Sequence, residues 1–169
     1  DEPASLVDIA PTLLAAASTG IESHKLDGVD LHLIASGKIN RPYVFGQLSL
    51  NMSRYLEADA AFNKQIADPV VCRAVFSSYM AVSRDWKFFY SAPDNQAFLF
   101  DKRTDNQETR NVADSPFAAE PLKKLRTALL DHLAACGETG GIQDGAFIPF
   151  NVPPLKRNPD AGHLIQDHY

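Results

Sequence analysis

Between residues 116 and 135, Leu122, Leu125, Leu129 and Leu133 recur at helical spacing, while Lys123, Lys124, Arg126 and Asp131 fall on the other side. This one-striped pattern predicts an amphipathic helix. Ser115-Pro116 suits its start and Gly137 its stop. Upstream, "YMAV", "WKFFY" and "QAFLFD" have the aromatic and β-branched content of short strands, separated by Ser83-Arg84-Asp85 and by Ala92-Pro93-Asp94-Asn95. Three such strands in succession make an antiparallel meander. "RPYVFGQLSL", starting after a Pro, supplies a further strand. A helix with one apolar stripe covers one face of a sheet. The predicted class is therefore α+β, with a small antiparallel sheet of three to four strands covered on one face by a long C-terminal helix.

The beginning of the chain follows a different pattern. "DIAPTLLAAA", residues 8–17, reads as a helix. Its N-cap is Asp8, or else a capping box runs from Ser5 to Asp8. Pro11 falls in the first turn, where its missing N–H costs nothing. Leu13, Leu14, Ala15, Ala16 and Ala17 leave almost no polar face, so the helix is expected to be enclosed on several sides and to end near Gly20. Asp27-Gly28 reads as a tight turn in which Gly takes positive φ. Leu31, Leu33 and Ile34 then pin a short segment to the body. Residues 51–70 are more polar and read as a loop with one helical turn, closed by Asp68-Pro69. From residue 138 on, the Pro and Gly content predicts an extended tail over the surface.

With 169 residues, 45% of them hydrophobic and 22% charged, the chain has material for one domain with its own core. The net charge is −5 and the only basic cluster, "LKKLR", belongs to the predicted helix, which argues against a nucleic-acid partner. No run approaches the roughly 20 apolar residues that span a bilayer, and "DEPAS" lacks the features of an export signal, so no membrane partner is expected. Cys72 and Cys136 sit in no CxxC pattern. Asn51-Met52-Ser53 fits a glycosylation acceptor triplet. The histidines show no metal-binding spacing, and His132 is expected on the polar side of the last helix. Asp27 and Asp30 flank a Gly and read as a turn rather than as a metal site.

Taken in order, "SLVDIAPTLLAAA", "LDGVDLHLI", "YVFGQ", "MAVSRDWKFFY", "AFLFDKRTDNQETRNVA" and the leucine-striped helix resemble the C-terminal part of a type I, formylglycine-dependent sulfatase of the alkaline-phosphatase superfamily. Asp8, Pro11 and Thr12 match the first motif of that family, and Asp27, Gly28 and Leu31 match the second. Trp86 and Lys87 match the third; Leu99, Phe100, Asp101, Asp105, Glu108, Asn111 and Val112 match the fourth. Asn106 stands where the family usually has Pro. The resemblance covers roughly residues 4–135.

The resemblance implies a division of the chain: 1–37 as the end of a large sulfatase domain and a connector, 38–136 as the C-terminal subdomain, and 137–169 as an extended tail. The apolar helix would pack on an α/β catalytic domain upstream, and without it the first thirty residues are expected to be loosely held or to lie on a neighbouring chain. The family's nucleophile is a formylglycine made from Cys or Ser in a Cys/Ser-x-Pro/Ala-x-Arg motif, which neither cysteine fits. Formylglycine and calcium are thus expected in the catalytic domain, with no catalytic residue, metal or cofactor in this chain. The implied partners are its own N-terminal sulfatase domain, a sulfated carbohydrate, and a second copy through the N-terminal helix. An export signal upstream would place the parent protein in a periplasm, outside the cell or in a lysosome.

Gln47, Asn51 and Arg54 are the candidate substrate-binding residues at the cleft rim, because an Arg and two amides hold a sugar hydroxyl or a second sulfate. Solvated loop side chains are the more frequent case for such residues. Trp86 and Phe100 are either a sugar-stacking platform or core. Asp101, Asp105, Glu108 and Asn111 are expected to cap turns. A C-terminal part of a phosphonate or phosphate monoester hydrolase of the same superfamily, and a non-enzymatic binding module, are the alternatives.

Overall fold

The structure is a computed structural model, and it describes residues 2–18, 26–49, 63–64, 66–150 and 152. Four strands form one sheet in the order β1-β2-β3-β4: β1 Val44–Ser49, β2 Ser77–Val82, β3 Trp86–Ser91 and β4 Gln96–Asp101. Every neighbouring pair is antiparallel. The register brings Tyr79 opposite Tyr90, and Phe88 opposite both Ala81 and Leu99, so these five side chains share one face. Helix α4, Ala119–Ala135, lies on that face and buries Leu125, Leu129, Leu130 and Leu133 against it. Met80, Phe89 and Phe98 occupy the opposite face, where the last two rings stand 5.6 Å apart.

Between β1 and β2 runs a helix that the sequence pattern does not predict: α3, Pro69–Val75. Asp68 accepts a hydrogen bond from Val70 N at 2.8 Å, and Pro69 takes the first helical position. Asp68-Pro69 thus opens a helix as well as closing a loop, and Ala74 and Val75 enter the core.

The extended tail expected from residue 138 on is corrected by the first half of that stretch. Ile142–Gln143 and Ala146–Phe147 pair as a hairpin, β5 and β6, turned by Asp144 and Gly145, both at positive φ. Phe147 stacks on Tyr90 at 3.9 Å and, with Phe150, is buried in the core. Asn95 fixes the exit of this segment by accepting from Phe150 N at 2.8 Å and donating to Phe150 O at 2.5 Å.

At the N-terminus, a 3₁₀ turn Leu6–Asp8 runs into α1, Ile9–Ala16, and a short α2 spans Leu31–Ala35. The helix ends four residues before Gly20, and residues 19–25 lie outside the described part. Asp8 does not cap α1 with its side chain. It stands at the N-cap position of α1, while Ser5 caps the preceding 3₁₀ turn and its N–H donates to Asp8 Oδ2 at 2.6 Å, as in the capping-box reading. No residue of α1 is buried, and Leu6 and Leu13 are 84% and 64% exposed. Polar bonds hold this region: Thr12 Oγ1 donates to Asp8 O at 2.6 Å and accepts from Leu31 N at 2.9 Å.

Candidate functional site

Two polar constellations stand out. The first is a clamp around Asp8, which is fully buried. Its carboxylate accepts from Val29 N at 3.0 Å, from Arg41 Nη1 at 2.7 Å and from Arg41 Nη2. Arg41 also donates from Nε and Nη2 to Pro3 O, at 3.3 Å each. The guanidinium bonds, helped by the Val29 and Ser5 N–H groups and opposed by burial, hold the Asp8 carboxyl down at about 2. Gly28 belongs to this clamp. It does not take positive φ, contrary to the expected turn; rather, a Cβ there would collide with the Val7 carbonyl. Asp8, Thr12, Gly28 and Leu31 therefore form one joint, in which the 26–31 segment lies against the start of α1. Pro11 sits in the first turn of α1.

The second constellation lies where β1 ends, β2 begins and α4 stops. Gln47 Nε2 donates to Ser49 Oγ at 3.2 Å and to Ser77 Oγ at 3.3 Å, and the two hydroxyls are 2.6 Å apart. Ser77 Oγ donates to Arg73 O, at the end of α3, at 2.7 Å. Arg73 Nη2 in turn donates to Glu138 Oε2 at 3.4 Å. Glu138 is buried, and its Oε1 accepts from Gly140 N at 2.8 Å and Gly141 N at 3.1 Å. Beside them the buried Tyr79 hydroxyl has no hydrogen-bond partner among the described residues. Burial and the Glu138 charge push it up to about 12.

Of the three expected rim residues, Gln47 joins this second constellation, while Asn51 and Arg54 lie outside the described residues. Ser49, Arg73, Ser77 and Glu138 escaped the sequence reading. They carry no motif, and 65 residues separate the members of the Arg73–Glu138 pair. His132 was expected in solvent on the polar side of its helix. Instead its ring stacks on Phe45 at 4.1 Å, because that helix turn faces the edge strand.

Trp86 and Phe100 do not form a common platform. Trp86 is opposite Asp101 in the ladder, which puts it on the α4 face, whereas the adjacent Phe100 points to the other face. The Arg103 guanidinium lies 5.0 Å from the centre of the Trp86 ring and donates to both carboxylate oxygens of Asp101, at 2.8 and 2.7 Å. These bonds lower the Asp101 carboxyl below its ordinary range. Lys87 pairs with Glu108 at 2.5 Å. Asp105 accepts from Thr109 N at 3.1 Å and Arg110 N at 2.8 Å, which lowers its carboxyl too. Asn111 Oδ1 accepts from Leu99 N at 2.9 Å while its Nδ2 donates to Ala97 O at 3.2 Å, so its side chain pairs with the edge of β4.

No protein-family model matches the sequence, and no curated protein matches it significantly. Solved structures do. A Bacteroides thetaiotaomicron protein assigned as a sulfatase superposes with a TM-score of 0.57 at 20% identity, over 78% of this chain and 25% of its own. A 2-O GAG sulfatase gives 0.55 at 21% identity, over 78% and 25%. A phosphonate monoester hydrolase from Silicibacter pomeroyi gives 0.56 at 21%, over 83% and 27%. The chain has the fold of a part of these hydrolases. It spans about a quarter of the length of each.

Among the described residues no three His, Cys, Asp or Glu side chains converge on a point that would hold a metal. The Asp27–Asp30 pair is no exception, because Asp30 Oδ1 is taken by His32 N at 2.9 Å and faces His32 Nδ1 at 3.0 Å. Nor is any helix of the described residues long and apolar enough to cross a membrane.

Proposed function

We propose that this chain is the C-terminal subdomain of a sulfuric ester hydrolase, where it covers the catalytic domain and forms part of the substrate-cleft rim without supplying catalytic groups. The carrying observation is the asymmetry of the structural match: 78% of this chain overlays only 25% of a sulfatase chain. The ordered motifs from Asp8 to Val112 add to it. So does the row Leu6, Ile9 and Leu13, which stays exposed on one side of the N-terminal turn and α1. In this reading residues 1–37 end the large domain and connect it, 38–136 form the subdomain, and 137–169 continue it, with the 142–147 hairpin folded onto the core.

The catalytic domain, on this proposal, sits on the apolar row and brings the formylglycine and calcium. A sulfated carbohydrate meets the rim at Gln47, Asn51 and Arg54. In the absence of that domain, a second copy of the chain is the alternative cover for the row.

Phosphonate monoester hydrolysis is the second reading, favoured by the match to the Silicibacter enzyme over 83% of this chain. An assay of the polypeptide that includes the upstream region separates the two. Calcium-supported turnover of an aryl sulfate above that of a phenyl phosphonate monoester is expected. The reverse preference would replace the sulfatase reading with the phosphonate one.

A further inference from the structure

We propose that Arg73, aimed by the buried Glu138, is a binding residue for an oxyanion carried on a sugar ligand, with Gln47 and Ser49 meeting neighbouring hydroxyls. The inference rests on the proposed sulfatase reading for its ligand class, and on the second polar constellation for its geometry.

The Arg73 side chain is 54% exposed, yet it is not a free surface arginine, because one of its terminal nitrogens is held by Glu138. Glu138 is itself fixed from behind. Its side chain is 4% exposed, and the Gly140 and Gly141 N–H groups hold the oxygen that does not face Arg73. A carboxylate anchored in this way sets the direction of the guanidinium while occupying one of its five donors. At 3.4 Å the contact is long for a charge-assisted bond, which leaves the guanidinium free to make a shorter, forked pair with an incoming oxyanion.

The surroundings suit a sugar. Ser77 Oγ donates to the main-chain carbonyl of Arg73 and meets the hydroxyl of Ser49 and the amide of exposed Gln47, so these groups tie the backbone at Arg73 to the end of β1. Amide and hydroxyl groups both donate and accept, as sugar hydroxyls require. Sequence reading placed the rim on Gln47 and on residues beyond it; the structure adds a cation from a different element, 26 positions further on.

The test is an equilibrium titration of the full 169-residue chain with D-glucosamine-2-N,6-O-disulfate, unsulfated D-glucosamine and inorganic sulfate, followed by NMR. Arg73→Gln keeps a donor toward Glu138 and removes the charge. It is expected to weaken the disulfated sugar about tenfold, to leave unsulfated glucosamine unchanged, and to keep the native spectrum. Arg73→Lys should recover part of the loss, since a single ammonium replaces the fork. Inorganic sulfate should bind more weakly than the disulfated sugar.

No saturable binding by the parent chain, an unchanged affinity in Arg73→Gln, or an equal loss for sulfated and unsulfated sugar would each overturn the assignment. Inorganic sulfate binding as tightly as the sugar would overturn the part given to Gln47 and Ser49. Binding is read without turnover. A polypeptide that hydrolyses sulfate esters while Arg73→Gln binds normally refutes this inference alone, and one that binds through Arg73 but hydrolyses no sulfate ester refutes the function alone.

Discussion

Asp8 concentrates the energetics of the N-terminal joint. Its carboxyl lies at about 2 against an ordinary 3.8, so the charged form is favoured in the folded state. The stabilisation is fully present above the ordinary value and is lost as pH falls through the folded one. The shift corresponds to about 2 kcal/mol. Hydrogen exchange at the Val29 and Leu31 amides should therefore accelerate between about pH 4 and 2, after correction for the intrinsic rate. Arg41→Ala leaves a buried carboxylate without its counter-charge and should destabilise the joint by roughly 3 kcal/mol. The same two amides report it. Gly28→Ala should open the joint as well, by roughly 2 kcal/mol or more, because the added carbon meets the Val7 carbonyl.

The element scale shows what can be read from a sequence and what cannot. The leucine stripe of α4 and the meander of β2, β3 and β4 are local, periodic signals, and the structure contains them where the pattern puts them. Asp101 and Asp105 also act locally, on Arg103 and on the Thr109 and Arg110 amides, whereas Glu108 reaches Lys87 and Asn111 reaches the edge of β4. The Asp144-Gly145 turn was legible too, as the favoured two-residue hairpin pair. It was missed because only two residues flank it on each side and the surrounding Pro and Gly content points to a tail.

The constellation that includes Gln47 is not legible, because its members come from β1, β2, α3 and the loop after α4, which meet only in the folded chain. His132 differs from expectation for a related reason: on a helix position next to Leu133 of the apolar stripe, the edge strand decides whether a ring is solvated or stacked. If residues 142–150 belong to the core, Phe147→Ala should cost about 3–5 kcal/mol in chemical denaturation. The exposed Gln143→Ala, on the same hairpin, should stay within about 0.5 kcal/mol.

For the whole molecule, the contrast between its two regions carries the argument. The sheet and α4 enclose a core with Tyr79, Phe88, Leu99 and Leu129 fully buried, whereas the N-terminal turn and α1 are held by Asp8, Thr12 and Arg41 and leave Leu6 and Leu13 exposed. An apolar row of this kind is a docking face in the sulfatase reading. Leu6→Ser with Leu13→Ser should therefore reduce self-association in sedimentation velocity while leaving the unfolding midpoint of the sheet domain unchanged.

The central claim is that this chain serves a sulfuric ester hydrolase without holding its catalytic groups. It is tested most directly by hydrolysis of 4-nitrophenyl sulfate in the presence of calcium, measured for this chain alone and for the polypeptide extended through the upstream region. Turnover by the extended polypeptide and none by the chain alone is the predicted result. Turnover by the chain alone, or an extended polypeptide inert toward the sulfate ester, would contradict it.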